Sequence, residues 1–223
     1  QQLRLHLTRN ITHFVGQNLW FFALNAITLA QLFAFEFSVP VWVALFAPFF
    51  LSEKLTLKRF MAASIGFIGI LIVARPDEIG LTPGILAAAL CAICFTGTGI
   101  ATKLLTRKQS ITCILFWLTM MQTIFGVICA GYDFQITAPS KSTLPWVVVI
   151  GFAGLTAHFC ITRALQLADA MVVYPMDFVR LPIATAIGVL FFDEPIQIFV
   201  FIGAITILGA NFLNIMSSRN TPT

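Results

Sequence analysis

Ile65-Gly-Phe-Ile-Gly-Ile-Leu-Ile-Val73 is apolar on every face, whichever backbone it adopts. A strand of a membrane barrel alternates polar and apolar residues over segments of about 10. This stretch does not alternate, so it reads as the centre of a lipid-embedded helix. Working outward, the same run extends over 56–74, and seven similar runs occupy 11–26, 28–51, 82–103, 111–131, 144–167, 169–192 and 196–216. Each is near the roughly 20 residues a spanning helix needs. The expected fold class is therefore an all-α membrane protein, a polytopic bundle of about eight transmembrane helices. Pro40 and Pro48 in the second span and Pro175 and Pro182 in the seventh predict kinks.

Composition agrees. Of the 223 residues, 59% are hydrophobic and only 10% charged, with a mean hydropathy of +0.94. A soluble domain averages about 45–50% apolar and about 25% charged. These values exclude a soluble enzyme, a disordered chain and a secreted disulfide scaffold. The net charge of +4 is spread along the chain rather than massed in a patch, which argues against nucleic-acid binding. The five cysteines all lie in apolar runs. Cys91-Ala-Ile-Cys94 has no neighbouring histidine or third cysteine, so packing thiols are expected rather than a metal or redox site. Thr96-Gly-Thr-Gly99 reads as a small-residue packing strip, because no strand precedes it.

Basic residues orient the spans. With the start of the chain cytoplasmic, Arg4, Arg9, Lys54, Lys58, Arg59, Lys103, Arg107, Lys108, Arg163 and Arg219 fall inside. Only Arg75 and Lys141 fall outside, and Arg180 is left in the membrane. That asymmetry satisfies the positive-inside rule for an even number of spans. In this reading Gln1 to Arg9 is a polar cytoplasmic loop, and His6 and His13 are loop or loop-edge residues.

The chain also repeats itself. Sliding it so that Ala23-Leu24 falls on Ala164-Leu165 places Phe37 on Phe178, Phe50 on Phe191, Glu53 on Glu194, Phe60 on Phe201 and Ala63 on Ala204. Glu36 falls on Asp177. Five spans separate Glu53 from Glu194, so the two copies must be inverted. Inverted repeats, kinked helices and intramembrane charge together mark a secondary carrier.

Trp20-Phe-Phe-Ala-Leu-Asn25, Pro40 to Leu51 followed by Ser-Glu-Lys-Leu-Thr56, Gly66-Phe-Ile-Gly-Ile70, Arg163-Ala-Leu165 and Phe192-Asp-Glu-Pro195 carry a resemblance across essentially the whole chain. It resembles the EamA-type carriers of the drug/metabolite transporter superfamily, and within them the bacterial S-adenosylmethionine uptake carriers. The resemblance implies a 5+5 inverted-repeat fold with a central cavity. Residues 1–76 would be the last three helices of the first repeat and 77–223 the complete second repeat, with two helices expected upstream of Gln1. It also implies alternating-access transport of a small metabolite, amino-acid-like or S-adenosylmethionine-like, in the cell membrane (the inner one in a Gram-negative cell). The expected partners are a small-molecule substrate and the lipid bilayer, with a second copy of the chain possible and no nucleic acid. No cofactor and no metal are expected.

The candidate substrate-binding residues are Glu36, Asp177, Arg180, Trp20, Trp42 and His158. A charge at mid-bilayer costs roughly 2.5–3.5 kcal/mol even on the lenient insertion scale, so it needs a partner or a wet cavity. Asp177 and Arg180 share a helix face at i, i+3, and Glu36 holds the matching place in the other copy. A static ion pair is the competing reading. Trp20 and Trp42 can stack on a planar or cationic group, whereas Trp117 and Trp146 read as interface anchors. His158 is either a proton-relay or a packing histidine. Glu53 and Glu194 read as helix-end acids, and Gln17, Asn18 and Asn25 as polar links between helices. The rival functions are an intramembrane enzyme, a channel and a non-transporting membrane partner or scaffold subunit. The sequence has no H-E-x-x-H, no G-x-S-x-G and no repeated filter segment. Gly131-Tyr-Asp133 lacks the second aspartate motif of an aspartyl intramembrane protease.

Overall fold

The structure is a computed structural model that describes residues 2–51, 57–74, 81–136, 138–174, 187–193 and 198–219. Every regular element among them is helical. In chain order these are α1 (Leu3–Leu24), α2 (Leu29–Glu36), α3 (Val39–Leu51), α4 (Leu57–Ala74), α5 (Pro83–Thr106), α6 (Ile111–Ala130), α7 (Leu144–Leu167), α8 (Ala170–Val173) and α9 (Ile198–Arg219). Residues 187–192 are helical as well. Asp177, Arg180, Pro175, Pro182, Glu53 and Glu194 lie outside the described residues.

Among the described residues, four spans are long and apolar enough to cross a bilayer: Gln31–Leu51, Pro83–Thr106, Ile111–Ala130 and Leu144–Leu167. With 22 residues, α1 is long enough too, at about 33 Å, but it carries too many polar side chains to pass on hydropathy. It starts at Leu3, not at Ile11, so the loop expected over Gln1 to Arg9 is two turns of helix. Hydropathy misplaces its start because those turns bury polar groups: His6, Arg9 and Asn10 are each at most 1% exposed.

Helix starts follow their caps. Thr28 and Gln31 form a reciprocal capping box on α2, Thr82 accepts from the Ile85 N–H ahead of α5 with Pro83 in the first turn, and Ser110 accepts from the Cys113 N–H ahead of α6. Each satisfies a backbone donor that the helix itself leaves over. The second span is broken in two. The Ser38 N–H donates to the Phe35 carbonyl, and the Val41 and Trp42 N–H groups both donate to the Ser38 carbonyl. Pro40 brings no N–H to continue the ladder, so the chain turns an elbow at Phe37-Ser38 between α2 and α3. Pro48, by contrast, is accommodated inside α3.

α5 is the hub and packs against α1, α2, α3, α6, α7 and α8. The α1–α5 pair is antiparallel: Arg9 meets Thr102, Thr12 meets Thr98, Gly16 lies against Cys94 and Phe95, and Gly84 lies against Ala26. Small residues along this seam let the two backbones close up. The other face of α1 meets α6, where the Gln122 amide donates to the Asn10 carbonyl at 3.0 Å.

α4 and α9 form a second close pair. Gly66 lies against Ala210, and a Cβ at Gly69 would overlap Ile207. On the offset that puts Ala23 on Ala164, Ala210 is the counterpart of Gly69 and Ile207 that of Gly66, so the contacts are exchanged between the helices as across a two-fold axis. The same offset carries the start of α1 onto that of α7, α2 onto α8 and α4 onto α9. Residues 144–157 of α7 are exposed and almost wholly apolar, with Trp146 69% exposed near the helix start, as an anchored, lipid-facing helix requires.

Candidate functional site: a helix-lined cavity

α1 projects Arg9, His13, Gly16 and Trp20 at i, i+4, i+7 and i+11, which is one face of a helix. Arg9 and His13 open into a cavity of about 620 Å³. The other walls are Glu36 and Pro40 at the α2–α3 elbow, Thr98 and Thr102 of α5, His158 and Leu165 of α7, and Tyr174 after α8.

Glu36 is the last residue of α2, and the elbow turns its carboxylate to α1. The Trp20 Nε1–H donates to Glu36 Oε2 at 2.9 Å, so the acid enters the cavity already oriented. Both side chains are half-buried. Arg9 sits toward the other end of α1. Its Nε–H donates to Thr102 Oγ1 at 3.3 Å and its Nη1–H to Asn10 Oδ1 at 2.9 Å. Thr102 in turn donates to the Thr98 carbonyl at 2.7 Å. Among the described residues no carboxylate stands within 4.0 Å of this guanidinium. Between the two charges, His13 Nε2 and His158 Nε2 are 3.2 Å apart, with rings edge to face. One imidazole must donate and the other accept, and both Nδ1 atoms are buried without a partner among the described residues. Tyr174 crosses close over α5, since a Cβ at Gly99 would run into its hydroxyl.

The structure thus brings together Glu36, Trp20 and His158 from the expected set. It sets Trp42 apart: its indole N–H donates to Ser38 Oγ at 3.1 Å, and its ring packs on Phe46 and Phe67. Asp177 and Arg180 lie outside the described residues. Asn18 and Asn25 do not link helices but donate to the Phe14 and Phe21 carbonyls of their own helix. Cys91 and Cys94 are free thiols on α5. The residues sequence reasoning passed over are Arg9, His13, Thr98, Thr102 and Tyr174. His6 and His13 are not at a loop but inside α1, where His6 packs on the Trp117 ring and His13 meets His158. The i, i+4 spacing of Arg9, His13 and Gln17 was the available signal.

A polytopic helical bundle around a cavity that carries both an acid and a base has the form of a carrier, and comparison with known proteins decides the matter. The description "EamA-like transporter family" matches residues 4–75 and 82–216. The chain belongs to that family. As an EamA-like transporter it is a small-metabolite carrier of the drug/metabolite superfamily and a multi-pass membrane protein. A riboflavin transporter of Brucella anthropi is 31% identical over 211 residues, covering 93% of this chain and 74% of the relative. An S-adenosylmethionine uptake transporter of Rickettsia bellii is 25% identical, covering 96% of this chain and 73% of the relative. A solved crystal structure matches with a TM-score of 0.71 at 18% identity, over 97% of this chain and 79% of that one, and supports the fold.

In this EamA-like transporter the cavity offers a carboxylate held at one level, a guanidinium at another and an imidazole pair between them. Removed from bulk water, each would hold a complementary ligand group more strongly than it would at the protein surface.

Proposed function

We propose that the cavity is the substrate path of an alternating-access carrier and that Glu36, oriented by Trp20, receives the cationic or N–H-bearing end of an amino-acid-like or S-adenosylmethionine-like metabolite. The observation that carries this reading is the Trp20–Glu36 hydrogen bond at the cavity wall. An intramembrane acid is expensive, and this one lines the cavity. His158 belongs to the same cavity. Asp177 and Arg180, the counterpart of Glu36 and its i+3 neighbour, are proposed to complete the site from the second copy. Trp42 supports the elbow rather than the ligand. The relative named for S-adenosylmethionine uptake supports the substrate class.

We also propose that residues 1–76 and 77–223 belong to two inverted repeats, in the cell membrane. The equal offsets of helix starts and the exchanged contacts of α4 and α9 support that division.

The test is uptake of labelled S-adenosylmethionine into proteoliposomes at matched protein abundance. Glu36→Gln keeps the shape and removes the charge, and uptake is expected to fall at least tenfold. Arg180→Ala and Asp177→Asn are expected to abolish uptake without lowering abundance. If the paired apolar replacement of Asp177 and Arg180 transports normally, those two residues are a structural ion pair. Normal uptake by Glu36→Gln would remove Glu36 from the site.

A further inference from the structure

Arg9 is the feature that the substrate reading leaves unexplained. It is 1% exposed, it faces the cavity, and no carboxylate among the described residues balances it. Breaking a buried pair by removing one partner is strongly destabilising, because it leaves an uncompensated charge. A fold that holds such a cation permanently gains most when an anion arrives. Its fixing is also specific. Thr102 takes Nε–H and Asn10 takes Nη1–H, and the Asn10 amide is itself tied to the His6 carbonyl at 2.8 Å. Only part of the five-donor fork is used by the protein, and the remainder suits two oxygens of a planar or tetrahedral anion.

We infer that Arg9, positioned by Thr102, forms an anion subsite that takes the terminal carboxylate or phosphate of an elongated metabolite whose other end is held at Glu36. This rests on the reading of the cavity as the substrate path. The length of the cavity also selects the ligand. Arg9 and Trp20, the residue that holds Glu36, are eleven positions apart on one helix, or about 16 Å along its axis. The ammonium and carboxylate of a free α-amino acid are bonded to the same carbon and reach only one end. A nucleoside-sized molecule with an acidic terminus spans far more of the distance. It also passes the His13–His158 pair, whose unpartnered Nδ1 atoms offer one donor and one acceptor in the neutral state.

Equilibrium binding to the purified full chain in lipid nanodiscs tests this with two matched pairs of labelled probes. One pair is S-adenosylmethionine and its decarboxylated form; the other is riboflavin 5′-phosphate and riboflavin. In at least one pair the anionic member is expected to bind tenfold or more tightly than its partner. A preference in the first pair identifies a carboxylate, and in the second a phosphate. Arg9→Gln should erase that preference and leave the anion-free member within twofold of wild type. Free methionine should bind at least tenfold more weakly than the preferred probe. If Arg9→Gln is not monodisperse, Arg9→Lys decides: it keeps the charge but not the fork and should retain only part of the preference. The inference is overturned if neither pair shows a preference, if the preference survives Arg9→Gln, or if both members weaken equally. Should the anion-free probes bind and depend on Glu36, the cavity reading survives that failure. Absence of binding by all four probes overturns the inference, and the Glu36 uptake assay then decides the cavity reading on its own.

Discussion

At the scale of single residues, the cavity is shaped by what is absent as much as by what is present. Tyr174 reaches the cavity wall only because position 99 has no side chain: a Cβ there would meet the hydroxyl and the ring edge of Tyr174. The phenol is rigid beyond its two torsions, so it must swing away rather than yield at its tip. Gly99→Ala is therefore expected to displace Tyr174, raise the KM for uptake several-fold and cost about 1–3 kcal/mol of stability as an overpacked contact. Gly126 makes the control, since nothing lies within 4 Å of a Cβ built there and Gly126→Ala should transport as wild type. Uptake kinetics and thermal unfolding of the two variants check this, and equal behaviour of both would show that Tyr174 does not shape the site. The sequence made Thr96 to Gly99 legible as a packing strip but not which residue packs on it, because Tyr174 is 75 positions distant and no local pattern joins them. Glu36 was legible for the opposite reason: an acid inside an apolar run is costly wherever it lies, so its type alone raises the question of a partner.

At the scale of helices, hydropathy reads what faces lipid and misreads what faces the cavity. The α6 and α7 spans match their expected ranges to within a residue, since both are apolar nearly all round. α1 is expected at 11–26 and observed at Leu3–Leu24. Arg4, His6, Thr8, Arg9 and Asn10 lower the average over turns whose inner face is polar by design. Pro40 announced a distortion of the second span, and the structure gives it a form: a capped, two-helix elbow that aims Glu36 at Trp20. Replacing that proline tests whether the ring makes the elbow. Pro40→Ala restores an N–H that can donate to the carbonyl of residue 36, letting α2 and α3 fuse and turning the Glu36 carboxylate off the Trp20 indole. Uptake at matched abundance is expected to fall at least tenfold, with the backbone bond gained set against repacking of the buried Phe37 and Val39. Undiminished uptake would show that Ser38 and the surrounding core hold the elbow without the ring.

At the scale of the whole molecule, α5 ties the parts of the bundle together, and two basic residues at its end show how. Lys103 and Arg107 stand one turn apart. The Lys103 ammonium donates to the Leu165 and Ala168 carbonyls, both at 2.9 Å, which closes the C-terminus of α7. Arg107 Nη2–H donates to the Leu51 carbonyl at 3.2 Å, which closes the C-terminus of α3. Helix C-termini expose unpaired carbonyls and a partial negative charge, so cations there are favourable. The exposed Asp169 carboxylate, 3.9 Å from Lys103, adds little. These residues entered the sequence reading only as inside charges that fix orientation. Their structural work was not legible, because nothing local to 103 or 107 indicates which distant helix ends there. The two cations touch different helices and share no partner, so their contributions should add. Lys103→Met is expected to cost about 1.5–3 kcal/mol as a lost charge-assisted pair of bonds, and the more exposed Arg107→Met less than about 1 kcal/mol. The double variant should equal the sum to within about 0.5 kcal/mol, with Lys103→Arg recovering most of the first loss. Thermal unfolding in nanodiscs supplies all four values. A double variant much less stable than the sum would mean that α3 and α7 are released from α5 together. In that case the shared end of α5 behaves as one cooperative closure of that end of the bundle instead of two separate caps.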